Sequence, residues 1–472
     1  MKFQELSLAA PLQKALARMQ YETLTPIQES VIPRLLQGES LIAQSKTGSG
    51  KTLAYALPIL QHITFDSLYP QALILVPTRE LAQQVTQTLD ALGLFLHTHH
   101  QMLVGKQSFA FQREDMKQRT HVLIATPGRL LQHIHEGTVH LECLSMLVLD
   151  EADEMFRLGF RSTLDKILAQ LPAGLQCACF SATFPSTIRR YLSERFPFAQ
   201  FLEQQEQELP TQLTQRFFSC APADAPQLLL AVLQAWPIRR CILFVNTIEQ
   251  AEQLTQFLSE RSLAIEALHG KQRQEERFAS LRHFRDGSTR ILVASNVAAR
   301  GLDIPEVSLI VNYDFPLTLE TYIHRVGRTA RMEAAGLAIS FVDPSNMTIF
   351  EQLQHMDPSV TIDSPVLSAR YPLKELQQPL VRTVRREELV RQDVLRLCIF
   401  AGKSKKLRPG DLVGAICSID GVDGEDIGVI KIQEHHSYVE ILNGKGTTVL
   451  SALQQRTIKN RKIRVEIAHD SE

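Results

Sequence analysis

The first two hundred residues alternate short apolar runs with helix-length stretches. The runs lie at 40–43, 72–76, 99–104, 122–125, 146–149 and 177–181. They are nearly continuous in apolar character, as in strands buried on both faces. Such strands, separated by helices, pair as a parallel sheet held between helical layers. The pattern lapses at the polar run 203–210, which reads as a linker. It then resumes with strands expected at 241–245, 264–268, 290–294, 309–313 and 336–341, a second α/β domain of similar size.

The end of the chain has another rhythm. Residues 366–390 are proline-bearing and then basic, and read as a tether. Beyond them comes strand 394–400, helix 411–419, strands 428–433 and 437–442, helix 447–455 and strand 462–467. This β-α-β-β-α-β order is the ferredoxin-like split arrangement that RNA-recognition folds use. Fold order alone does not establish RNA binding.

Two motifs carry chemistry. Ser45-Lys46-Thr47-Gly48-Ser49-Gly50-Lys51-Thr52 follows the strand at 41–43 and leads into a helix. It matches a phosphate-binding loop, except that Ser45 stands where Gly or Ala is usual. Backbone N–H groups would surround phosphate, and Lys51 would reach the β/γ oxygens. About a hundred residues later, Asp150-Glu151-Ala152-Asp153 ends the run Leu147-Val148-Leu149. A buried strand thus delivers two acids at its carboxyl end. With Thr52, one carboxylate suits Mg²⁺ and the other suits a water molecule. The second half has no such loop, so it would complete the nucleotide site rather than hold one of its own.

Bulk properties narrow the rest. At 472 residues the chain needs two or three cores. No signal-like opening and no apolar run of membrane-spanning length is present, so a cytoplasmic location is expected. The seven cysteines form no pair of Cys-x-x-Cys units, which weighs against zinc. Cys177 and Cys179 alternate on one strand and should share a packed face. His97, His99 and His100 read as a polar strand end rather than a metal site. The formal net charge of −1 argues by itself against a nucleic-acid binder. Its distribution is uneven, however, with a basic cluster at Lys403, Lys405, Lys406 and Arg408.

With these motifs in order, residues 1 to about 365 resemble a DEAD-box ATP-dependent RNA helicase. The resemblance implies two tandem RecA-like parallel-sheet domains, 1–205 and 206–368. A linker at 369–390 and a small α+β RRM-like domain at 391–472 would follow. ATP and Mg²⁺ are the implied cofactors. Gln28, in Thr25-Pro26-Ile27-Gln28, would read adenine, with Thr23 beside it and Phe3 packing on the base. Residues 45–52 would hold phosphate, Thr52 and Asp150 the metal, and Glu151 the attacking water. Asp153, Ser181 and Thr183 would couple the ATP site to the other domain. From His324-Arg325-Val326-Gly327-Arg328, Arg325 and Arg328 would act as arginine fingers, and Asp303 would bond the ribose.

RNA contacts are implied for Arg79, Gly105, Thr126 and Arg129 in the first domain, and for Thr247, Gln274, Arg277 and Ser295 in the second. The chain departs from the family pattern at Gln20, Lys106 and Asn296, where glycine, glycine and aspartate are usual. The last domain resembles the RNA-binding module of one bacterial branch. That implies a hairpin of large-subunit (23S) ribosomal RNA as target and ribosome assembly as process. Its candidate contacts are Lys403, Lys405, Lys406, Arg408, Tyr438, Lys459, Arg461 and Lys462. Two rivals stand beside this reading, an ATP-dependent RNA clamp that needs no turnover and a DNA helicase.

Overall fold

The computed structural model describes the chain except residues 45–48, 203–211, 296–306, 330–334, 345–346, 364–366, 381–385, 460 and 469–472, and the side chain of Gln274. Ser45, Lys46, Thr47, Gly48 and Asp303 therefore lie outside the described residues.

The first sheet comprises β1 (Leu41–Gln44), β2 (Ala72–Leu75), β3 (His100–Leu103), β4 (Val122–Ala125), β5 (Met146–Leu149), β6 (Gln176–Ser181) and β7 (Gln200–Leu202). Their order is β3-β4-β2-β5-β6-β1-β7, all parallel. The second comprises β8 (Leu213–Ser219), β9 (Arg240–Val245), β10 (Ile265–Leu268), β11 (Ile291–Ser295), β12 (Val307–Asn312), β13 (Gly336–Val342) and β14 (Ile362–Asp363). Its order is β10-β11-β9-β12-β13-β8-β14, also parallel. The second order repeats the first, strand for strand. Strands β2, β4 and β5 are buried along their whole length, which accounts for their unbroken apolar runs. Cys177 and Cys179 pack into one core cluster, as expected from their alternation.

Strands β7, β8 and β14 go beyond the strands expected from apolar runs. Strand β8 mixes Thr214, Gln215 and Arg216 with Phe217 and Phe218, which blurs its period. Strands β7 and β14 are short edge strands at the end of their sheets.

The third sheet is antiparallel. It comprises β15 (Leu395–Ile399), β16 (Ile427–Ile432), β17 (Ser437–Ile441) and β18 (Val465–Ile467), in the order β16-β17-β15-β18. Leu397, Ile399, Val439 and Ile441 face its two helices within one core. Arg396, Cys398, Tyr438 and Glu440 therefore alternate onto the opposite face.

That face turns toward the first domain. The first domain opens with helices α1 (Ala10–Arg18) and α2 (Pro26–Leu36). Val390 and Leu442 are fully buried in the first domain's core, with Val394 against them. Arg18 pairs with Asp393 at 3.7 Å, and Lys14 and Arg18 each donate to Asn443 Oδ1 at 3.3 Å. The segment read as a tether is anchored at both ends: Leu376 is buried against the second domain's core and Val390 in the first's.

A crevice of about 370 Å³ remains between the sheet face and the first domain. His99, His100 and Arg119 line one side, Arg396, Lys431 and Tyr438 the other. His100 Nδ1 lies 3.0 Å from Asp90 Oδ1. His121, unflagged in the sequence, accepts from the His99 backbone N–H at 3.0 Å. Burial, with nearby positive groups, pulls His99 and His121 down to about 4. Both thus bind protons less readily folded than unfolded, and their neutral forms stabilise the fold fully above about pH 6.5. That contribution is lost as pH falls from there through about 4. The urea midpoint should therefore drop between pH 7.5 and pH 5, and the drop should shrink in the His99→Gln, His121→Asn double variant. An unchanged drop in that variant would assign the loss to other groups.

Candidate active site and RNA interface

Helix α3 (Lys51–His62) begins the candidate nucleotide site. Gly50, at φ +89°, turns the chain into it in a conformation that disfavours a side chain. A Cβ there would also lie 2.4 Å from Gln28 Nε2. Gln28 is buried, donates to the Gly50 carbonyl at 3.0 Å and accepts from the Thr25 N–H at 2.9 Å. The Thr25 hydroxyl donates to the Ser49 carbonyl at 2.7 Å. Gln28 and Thr25 thus clasp Ser49 and Gly50, at the entry to α3. Phe3 is buried in the core and meets the Tyr21 ring at a centroid distance of 5.9 Å, while Thr23 is exposed.

Strand β5 delivers Asp150 and Glu151 to the same place. Lys51 Nζ lies 3.0 Å from Asp150 Oδ1 and 3.5 Å from Glu151 Oε1, all three groups buried. Burial pulls the Lys51 ammonium down, but the carboxylates of Asp150 and Glu151 outweigh it and the net shift is upward. Tyr55, overlooked in the sequence, donates to Asp150 Oδ2 at 2.9 Å. Its spacing of four from Lys51 on one helix was the available signal. Thr52 is half-buried beside them.

Glu151 has φ +53° and ψ 55°, a left-handed conformation rare outside glycine. It caps the amino end of α7 (Ala152–Arg157). Burial pushes its carboxyl up; Lys51 pulls it back, Asp150 adds to the rise, and the Arg328 guanidinium also pulls it down. The net shift is upward, toward the range a general base needs. Arg328 belongs to the second domain, so the two halves are electrically in reach of each other.

Asp153 is tied in a closed network. Its Oδ2 accepts from the Thr183 N–H and hydroxyl, each at 3.0 Å. Its N–H donates to Ser181 Oγ at 3.1 Å, and that hydroxyl donates to the Thr183 carbonyl at 2.6 Å. Across the cleft, polar atoms of Glu320 and His324 come within 4.8 Å of Asp153 and of one another. The three predicted coupling residues therefore meet one another and face the second domain.

Arg325 and Arg328 end the helix Leu319–Val326 and the turn after it, and both are buried. Arg325 is held within its own domain. Nη1 donates to Asn312 Oδ1 at 3.1 Å and to the Asp314 carbonyl at 2.7 Å, and Nη2 to Asn246 Oδ1 at 2.8 Å. Arg328 Nε donates to the His324 carbonyl at 3.3 Å.

A second cleft, about 430 Å³, lies between the domains and gathers predicted RNA contacts. Arg79, Gly105, Lys106, Thr126, Arg129 and Arg277 line it. Arg79 starts α4 (Arg79–Leu92), and Thr126 caps α6 (Pro127–His135), so two helix amino ends open onto it. Arg129 donates to Gln112 Oε1 at 2.7 Å and to the Gln107 carbonyl at 3.0 Å. Arg277 pairs with Glu80 of the first domain at 2.8 Å, both largely buried. Glu80 escaped the sequence reading because its partner lies in the other half of the chain. Thr247 is exposed at the cap of the helix Ile248–Ser259, and Ser295 is buried at the end of β11. Gln274 begins the helix Gln274–Asp286.

In the last domain, Lys403, Lys405, Lys406, Arg408, Lys459, Arg461 and Lys462 are exposed. Lys459 pairs with Asp411 at 3.0 Å, and Lys405 donates to the Phe400 carbonyl at 2.9 Å. Tyr438 is nearly buried in the crevice against the first domain, beneath the Arg396 guanidinium at 4.5 Å. Among the described residues, no helix is long and apolar enough to cross a membrane.

Comparison with known proteins agrees with this geometry. Residues 25–191 match the DEAD/DEAH box helicase family, 224–333 the helicase conserved C-terminal domain, and 396–467 the DbpA RNA binding domain. The chain is 37% identical to the ATP-dependent RNA helicase DbpA of Bacillus subtilis, covering 99% of both chains. It is also 37% identical to the Escherichia coli protein of that name, covering 98% of this chain and 99% of the relative. Among solved structures it resembles S. cerevisiae Dbp5 bound to RNA and ADP BeF3, with a TM-score of 0.71 and 33% identity. That match covers 77% of this chain and 95% of the other.

Proposed function

We infer from its place among the DEAD-box ATP-dependent RNA helicases of the DbpA type, the family to which the chain belongs, that it locally separates short RNA duplexes while anchored to a 23S ribosomal RNA hairpin during assembly of the large subunit. Catalysis draws on both halves. The observation that carries this is the Lys51–Asp150–Glu151 cluster in one domain, with Arg328 of the other near enough to act on Glu151. Glu151 takes the proton of the attacking water, and burial shifts its carboxyl in the direction that favours this. Lys51 holds phosphate oxygens, and Arg328 counters charge that builds on the transferring group. Arg325 serves the same phosphate by exchanging one of its bonds to Asn246, Asn312 or Asp314.

Mg²⁺ fits this site, since the buried Asp150 carboxylate and the Thr52 hydroxyl are hard oxygen donors and the Lys51 ammonium already stands against Asp150 as a cation. Bound there, it would neutralise phosphate charge. Thr25 and Gln28 position the phosphate loop, and Gln28 exchanges its bond to Gly50 for adenine. Arg79, Thr126 and Arg129 grip RNA phosphates, and Arg277 contributes from the far side of the same cleft. Closure selects an RNA path that a duplex cannot follow, and release of phosphate reopens the cleft. The work is cytoplasmic, where assembling ribosomal subunits are found.

The exposed basic residues Lys403, Lys405, Lys406, Arg408, Lys459, Arg461 and Lys462 support a separate RNA anchor. A panel of ribosomal RNA fragments tests the target. One large-subunit hairpin should stimulate ATP hydrolysis at far lower concentration than random RNA. Reversing Lys403 and Lys406 to Glu should weaken that hairpin's binding and flatten its salt dependence by about one unit of slope per lost phosphate contact. Equal stimulation by all fragments would remove the anchoring role.

A further inference from the structure

Helix α5 (Phe109–Asp115) stands between the inter-domain RNA cleft and the third domain. We propose that α5 and its flanking residues form an RNA-binding bridge, which carries the strand leaving the motor cleft across to the anchored hairpin. This rests on the reading of the two ends as RNA sites given above.

The near end of the bridge is part of the motor cleft. Lys106 lines that cleft, three residues before α5, and is exposed at φ +60°. Gln112, buried on the inner side of α5, accepts from Arg129 of the cleft and donates to the Val104 carbonyl at 3.0 Å. The position of the helix is thereby fixed to that of the phosphate-binding arginine.

The far end reaches the third domain. Gln118 and Arg119, just beyond α5, line the crevice with Arg396, Lys431 and Tyr438. Glu114 bonds Lys117 and also feels the third domain's Lys403, and its carboxyl is held below the usual range.

The outer surface has the chemistry that single-stranded RNA needs. Phe111 is 62% exposed, with its ring offered to solvent. Lys106, Arg113 and Arg119 are exposed along the same segment. Lys117 is spent on Glu114, at 2.7 Å. An isolated exposed phenylalanine needs no explanation. One that shares a short segment with exposed cations, between the motor cleft and the third domain, offers a stacking platform with phosphate partners along the same segment. Seven helical residues span about 10 Å, enough for roughly three stacked nucleotides.

The test uses the full-length chain and three RNAs: the best-stimulating ribosomal hairpin, that hairpin with an oligo-uridine tail, and oligo-uridine alone. Phe111→Ala and Arg113→Glu should each raise the tailed-hairpin concentration for half-maximal ATPase stimulation by about tenfold, the effect of losing one stacked base or one charged contact. The maximal rate, and the concentration dependence on the untailed hairpin, should stay at wild-type values. Bromouridine in the tail should cross-link within 106–119. Wild-type behaviour of both variants on the tailed hairpin would overturn the bridge alone. Equal losses on tailed and untailed hairpins would also overturn it. A wild-type chain that no RNA stimulates would overturn the functional reading and the bridge together.

Discussion

Glu151→Gln is expected to bind ATP and RNA at near wild-type affinity and to hydrolyse ATP about a hundredfold to ten-thousandfold more slowly, the range for loss of a general base. The amide has the size of the acid, so the left-handed turn at φ +53° and the cap of α7 survive. What disappears is a proton acceptor whose basicity burial has raised. The charge of Glu151 also helps to hold Lys51 at 3.5 Å. Its loss leaves Lys51 to Asp150 alone and should leave phosphate binding intact. The variant should accumulate as a closed complex on RNA, visible as slow RNA release in the presence of ATP. Turnover within a few-fold of wild type would remove Glu151 from the base role.

The second large effect is expected from Arg328→Ala. Arg328 lies more than 170 residues from Glu151, whose carboxyl its charge lowers, and in the half whose sequence has no glycine-rich phosphate-loop motif. Arginine fingers accelerate other triphosphatases by about a thousandfold or more, and RNA-stimulated turnover should fall on that scale. ATP binding should change little, because Lys51, Thr52 and the Gln28 clasp belong to the first domain. A parallel loss of nucleotide affinity would instead mean that Arg328 holds ground-state ATP.

Much of this site was legible because its parts are local. Lys51 and Asp150 announce themselves by a glycine turn before a helix and by an acid after a buried strand. The β-α alternation was legible for the same reason, since a strand buried on both faces must be apolar throughout. What stayed hidden depends on pairing between distant residues. Tyr55 reads as one apolar residue among many in α3, yet it bonds Asp150 across 95 positions. Glu80 and Arg277 are ordinary charges until the domains meet and pair them. Val390 and Leu442 look like core residues of the third domain or of the tether, and only the folded chain places them in the first domain's core. Tyr438, the aromatic offered for RNA, is largely covered for the same reason: its sheet face is turned against the first domain.

Coupling across the cleft is the centre of the account, and steady-state ATP hydrolysis by the full chain measures it most directly. Single-stranded RNA should raise kcat strongly, DNA of the same sequence should not, and Arg328→Ala should erase the rise. Hydrolysis at one rate with RNA, with DNA and with neither, unchanged by Arg328→Ala, would contradict it.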